Sequence, residues 1–122
     1  MAFYIKPFTS CELPLKIKNI DHSKIQKIDF IFKKNKSFTT SPIIKKTFGS
    51  LGDGSVTRDD DTDIYTIKLT TTDTGKFPRD TVDITVYLDI RPVLTDSTVP
   101  IAKIVPITVV PSLYAESELS NG

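Results

Sequence analysis

The sequence predicts an antiparallel, all-β domain, and three observations predict it. Val82, Ile84, Val86, Leu88 and Ile90 alternate with Asp83, Thr85, Tyr87 and Asp89, the period of two of a strand with one buried and one wet face. Further short segments repeat that alternation, separated by clusters of Gly, Pro, Asn, Asp and Ser. Only one short stretch, near residues 71–77, reads as helical.

The elements follow in order. Phe3–Phe8 is extended and rich in aromatics. Leu13, Leu15 and Ile17 alternate with Pro14, Lys16 and Lys18, a first strand whose proline marks an edge. After the polar turn Asn19–Lys24, Ile28, Phe30 and Phe32 alternate with Lys27, Asp29 and Lys33, and Ile31 breaks the pattern on the outer face. A hairpin turn centred on Asn35 leads to a weaker strand over Ile43–Phe48. Gly49–Asp63 holds three of the five glycines plus Asp59, Asp60, Asp61 and Asp63, and is expected to be the longest and least ordered loop. Tyr65, Ile67 and Leu69 then face one way, opposite Thr66, Lys68 and Thr70. Thr71–Phe77 reads as a single helical turn capped by Thr or Asp and closed before Pro78. The strand Val82–Ile90 follows, then the turn-rich Arg91–Pro100, then a last strand Ile104–Val110 interrupted by Pro106. This makes about six or seven strands, and the expected architecture is an immunoglobulin-like antiparallel β-sandwich, with a partly open barrel as the alternative. With no Trp and no cysteine pair, the core markers of antibody domains are absent.

A chain of 122 residues has room for one domain with a real core. The expected domain is 1–114, followed by a small, polar and flexible tail over 115–122. Hydrophobic residues at 39% and charged residues at 25% are ordinary globular values, which sets disorder aside. The single cysteine excludes an intramolecular disulfide, and residues 1–20 contain no apolar run, so neither a signal peptide nor a membrane span is expected. The net charge of +1 is unevenly distributed. Residues 1–50 carry ten lysines against Glu12, Asp21 and Asp29, while residues 51–122 carry six basic and twelve acidic residues. Opposite charges on neighbouring strands explain this most simply. Head-to-tail association of subunits and nucleic-acid contact are the other readings.

No residue pattern points to catalysis. His22, the one histidine, sits in a polar turn and reads as solvated. Cys11 has no basic helix terminus to lower its pKa, so it reads as a small core or edge residue. The run Asp59-Asp60-Asp61-Thr62-Asp63 offers oxygen ligands for calcium but lacks the glycine and terminal glutamate of an EF-hand loop. Clustered loop acids of this kind are ordinarily just solvated. No phosphate-binding loop and no metal-ligand spacing is present, so no cofactor and no metal is expected. The candidate interaction residues are aromatic: Phe3, Tyr4, Phe8, Tyr87 and Tyr114, which lie near chain ends or on the face opposite the core pattern.

The segment from Asp63 to Phe77 carries a resemblance. Its strand runs into a Leu-Thr-x-x-Asp-Thr-x-x-Phe turn, here Leu69, Thr70, Asp73, Thr74 and Phe77, and a strand pair closes the chain. Over residues 10–112 this resembles the small structural proteins encoded in the tail regions of prophages of Gram-positive bacteria, of the baseplate-upper-protein kind. The resemblance implies a non-enzymatic tail or baseplate protein, partnered with other virion proteins or with copies of itself. It also implies a place in the virion, or in the host cytoplasm during assembly. It brings no catalytic residue. The alternative function is a carbohydrate- or surface-binding adhesion module built on the exposed tyrosines, with a glycan as its partner. Independently of the family, Thr70 or Thr71 can cap the turn while Leu69 and Phe77 enter the core at its two ends.

Overall fold

A computed structural model describes residues 3–18, 20–37, 39–100 and 103–111. Among them are eight strands: β1 (Phe3–Ile5), β2 (Cys11–Lys16), β3 (Ile25–Lys33), β4 (Ile44–Gly49), β5 (Val56–Asp59), β6 (Ile64–Leu69), β7 (Ile84–Leu94) and β8 (Lys103–Val109). One helical turn, α1 (Thr71–Thr74), and a 3-10 turn at His22–Lys24 complete the elements. The strands form a five-stranded sheet in the order β1-β8-β7-β3-β4 and a three-stranded sheet in the order β2-β6-β5.

This arrangement is immunoglobulin-like. If β2 to β8 are read as B, C, C′, D, E, F and G, the two sheets are the GFCC′ and BED layers of that sandwich. The first strand joins the larger sheet, where β1 pairs in parallel with β8 through Phe3↔Ile107 and Ile5↔Val109. All other pairings are antiparallel. Pro14 lies in β2, an edge strand of the smaller sheet, where a missing N–H does least harm.

The inward rows of both sheets meet in one core. Leu13 and Leu15 of β2 and Tyr65, Ile67 and Leu69 of β6 face Ile28, Phe30 and Phe32 of β3 and Val86, Leu88 and Ile90 of β7, all buried. Each such side chain contributes about 1.5–3 kcal/mol of transfer free energy. Phe32 meets Phe77 edge to face at 5.4 Å, and Phe48 meets Tyr65 at 5.0 Å, the geometry that the ring quadrupoles favour.

The chain crosses between sheets at the α1 turn. Thr70 accepts the Asp73 N–H at 3.1 Å, and the Asp73 carboxylate accepts the Thr70 N–H at 2.9 Å, a reciprocal capping box. Leu69 and Phe77, each 2% exposed, anchor its two ends in the core. Thr74 is fully buried, and its hydroxyl donates to the Thr9 carbonyl at 2.8 Å, tying the turn to the β1–β2 connection. Burial pushes the Asp73 carboxyl up, but the Thr70 N–H and the Lys46 ammonium at 3.0 Å outweigh it and hold the carboxyl below its usual range.

Four expectations need correction. The long strand begins at Ile84 and extends to Leu94; Val82, expected to face the core, is 61% exposed ahead of the strand. The stretch from Gly49 to Asp63 is not a featureless loop. It contains β5, which pairs with β6 from Val56↔Ile67 to Asp59↔Ile64. The helical turn occupies Thr71–Thr74 rather than extending to Phe77. His22 is not solvated, as described below. The tail expected over 115–122 lies outside the described residues.

Candidate protein-interaction surface

The outer face of the five-stranded sheet collects apolar side chains that the core does not use. Pairing places Tyr87 of β7 between Lys33 of β3 and Pro106 of β8, and Asp89 between Ile31 and Ile104. Tyr4 of β1 shares this face beside Thr108. Tyr4 is 60% exposed and Ile104 is 47% exposed. Together, Tyr4, Pro106, Tyr87, Ile104 and Ile31 form an oblique apolar band across four strands. A shallow groove of about 350 Å³ lies at the Ile31, Tyr87 and Ile104 part of it, bordered by Asn35, Lys36, Asp89 and Arg91.

Tyr87 is half-buried, and the Lys36 ammonium sits 5.1 Å from its ring centroid in a cation–π contact. Beyond the band the same face turns ionic. Asp29, opposite Arg91, receives Lys27 at 3.5 Å and Lys45 at 3.8 Å and accepts the Thr47 hydroxyl at 2.8 Å. An apolar centre with a charged border is the anatomy of a protein contact.

The five aromatic candidates do not converge. Tyr4 and Tyr87 share the outer face. Phe3 points the other way and packs against the core at the open side of the sandwich. Phe8 takes a left-handed backbone (φ 65°) and seals the α1 turn; a Cβ on Gly75 would come within 2.6 Å of its ring, and the Arg79 guanidinium lies 5.0 Å from it. Its role is structural. Tyr114 lies outside the described residues. Sequence reasoning missed Ile104 and Pro106, although Ile31 was flagged as breaking the pattern on the outer face.

His22 illustrates how far a turn residue can travel. Its Nδ1 lies 2.7 Å from the Tyr65 hydroxyl and its Nε2 lies 3.0 Å from the Ile17 carbonyl. A carbonyl only accepts, so Nε2 carries a proton, and with the imidazole in that tautomer Nδ1 is the acceptor for the Tyr65 hydroxyl. The rings stack at 5.6 Å, and Asp63 Oδ2 lies 3.9 Å from Nε2. Burial raises the Tyr65 hydroxyl pKa, so it stays a donor. The cluster pins the β2–β3 connection to the smaller sheet.

The acidic run is engaged from within. Arg58 hydrogen-bonds Asp63 and reaches Asp60 at 3.4 Å, and its bond holds the Asp63 carboxyl below the usual range. Asp63 itself adopts φ 55°, which a short polar side chain tolerates, where the β5–β6 hairpin closes. Among the described residues no group of three or more His, Cys, Asp or Glu side chains could hold a metal ion. Cys11 is half-buried, and burial, reinforced by Asp73, pushes its thiol pKa up, away from the nucleophilic range. No helix among the described residues is long and apolar enough to cross a membrane.

No family model and no curated protein matches the chain. Solved structures that resemble it include a VGSC beta subunit studied for multimeric cell-adhesive interactions, at 14% identity and a TM-score of 0.45, with 92% of this chain and 91% of that one covered. The extracellular domain of the voltage-gated sodium channel beta4 subunit, described as a parallel homodimer, aligns at 15% identity and a TM-score of 0.43, covering 93% and 92%. The first Ig-like domain of human CD48 antigen aligns at 9% identity and a TM-score of 0.35, covering 91% and 82%.

Proposed function

We propose that this chain is a non-enzymatic structural module of a phage or prophage tail, working through protein–protein contacts on the outer face of its five-stranded sheet. The observation that carries the contact is the band of Tyr4, Pro106, Tyr87, Ile104 and Ile31, apolar and set among charged residues. The tail assignment is supported by the Leu69–Phe77 turn, whose motif residues all act in one structural unit, as cap, buried hydroxyl or core anchor. Its partners would be other virion proteins, and its location the virion, or the host cytoplasm during assembly.

Mass spectrometry of density-banded particles from the induced source strain tests the assignment. Copurification with tail proteins in fixed stoichiometry supports it; retention in the soluble fraction while particles form normally refutes it. A glycan-binding reading draws on the groove beside Tyr87, with Asn35, Asp89 and Arg91 as polar groups. It ranks second because Lys36 already covers the ring against which a sugar would stack.

A further inference from the structure

One exposed apolar side chain sits on a backbone that suits it poorly. In the turn after β4, the Gly52 N–H donates to the Gly49 carbonyl at 2.9 Å and the Ser50 N–H to the Gln26 carbonyl at 3.2 Å. Of the two central residues only the second, Leu51, has a positive φ, 69°, the pattern of a type II turn, which favours Gly or Asn at that position. A leucine there is uncommon. Both flanking glycines are required. A Cβ on Gly49 would come within 2.6 Å of the Gln26 carbonyl oxygen, and one on Gly52 within 2.4 Å of the Thr47 carbonyl oxygen. The turn is therefore fixed in shape, and it holds Leu51 91% exposed. An unfavourable backbone kept at an exposed apolar residue points to a use for that side chain.

A matching recess lies toward the other end of the same strand pair. The groove on the outer face of the five-stranded sheet is walled by Ile31, Pro42, Tyr87 and Ile104. Its volume of about 350 Å³ accommodates one aliphatic side chain. Gly49 pairs with Lys27, and Ile31 lies four residues further along β3, about 14 Å away. The fixed turn therefore cannot bring Leu51 into the groove of its own subunit. Charge matches as well. The loop that carries Leu51 also exposes Asp53. Arg91 borders the groove and is exposed, while Asp29, opposite it on β3, is already engaged by Lys27, Lys45 and Thr47.

We propose that the groove is filled by Leu51 of a second copy, with that copy's Asp53 facing Arg91, so that subunits join head to tail. Such an interface is heterologous, and its repetition gives a ring or an open row according to the rotation between neighbours. The proposal rests on the outer face being a contact surface and is independent of the tail assignment.

The test is sedimentation velocity of the full chain across a concentration series, with melting curves to confirm folding. Wild type is expected to associate. Leu51→Asn keeps a residue that tolerates the left-handed backbone, so its melting temperature should not fall, yet association should weaken at least about tenfold. Ile104→Asp spoils the groove and should weaken association similarly. Mixing the two variants should restore a single contact, the Leu51 of one chain in the intact groove of the other, and give a one-to-one dimer that grows no further. A wild-type chain that stays monomeric overturns the proposal, as do two variants that remain monomeric when mixed. Association that survives Leu51→Asn but not Ile104→Asp also overturns it, while leaving the outer face as the contact surface.

Discussion

The two sheets present outer faces of opposite character. On the three-stranded sheet, Glu12 stands opposite Lys68, Pro14 opposite Thr66, and Lys16 opposite Ile64. That surface sets Glu12, Lys68, Lys16 and Thr66 around Pro14 and Ile64, so charged and polar residues outnumber apolar ones. The five-stranded face mixes ion pairs around Asp29 with the band of Tyr4, Pro106, Tyr87, Ile104 and Ile31. Both faces are equally wet by topology, and neither is needed to close the core. The apolar band of the larger face lies outside the core, and exposed apolar patches of this kind are what the proposed contact would use.

The largest expected effect breaks the comparison at its centre. Substituting Tyr87→Ala together with Ile104→Asp should weaken partner binding by about 2–4 kcal/mol, the scale of an interface hot spot. Thermal unfolding should barely move for Ile104→Asp alone, since surface changes stay within about 0.5 kcal/mol. Pull-down of tail proteins and a melting curve on the same variants separate the two readouts.

Next in size is the joint that couples the two faces. Asp73→Ala removes the carboxylate of the capping box and the partner of Lys46, so it should destabilise the fold by about 1–3 kcal/mol in denaturant titration. Because Asp73 ionises at lower pH in the folded chain than in the unfolded one, its contribution is fully present above the ordinary carboxyl value of 3.8. It is lost as pH falls through the depressed native value. The gap between wild type and Asp73→Ala should therefore narrow in acid, and a constant gap would show that the carboxylate charge is immaterial.

A comparable but local effect is expected at His22. Replacing it with Ala deprives the buried Tyr65 hydroxyl of its acceptor, at about 1–3 kcal/mol, with no change in partner binding if the working face lies elsewhere. The smallest effect is the control. Lys68→Ala on the three-stranded face should alter stability by less than about 0.5 kcal/mol and leave binding unchanged.

Much of this was legible in the sequence because the signal is local. The alternation through Ile84–Ile90, the Thr70 cap and the core anchors Leu69 and Phe77 are read correctly from neighbours in the chain, although the helical turn itself is shorter than expected. The failures are non-local. Val56–Asp59 is four residues inside a Gly- and Asp-rich stretch, and its strand character comes from pairing with β6. His22 is buried by Tyr65, 43 residues away. Val82 keeps the alternation of its neighbours but precedes the strand and stays exposed. The same reason divides the surface residues: Tyr87 stood out on a patterned strand, whereas Ile104 and Pro106 join it only through the β7–β8 register.

The central claim, that the outer face of the five-stranded sheet is the working surface, is tested most directly by hydrogen–deuterium exchange on the chain within intact particles against the free chain. The account predicts protection along β7 and β8 around Tyr87 and Ile104, with the outer face of β2 and β6 unchanged. Protection confined to the three-stranded sheet would contradict it.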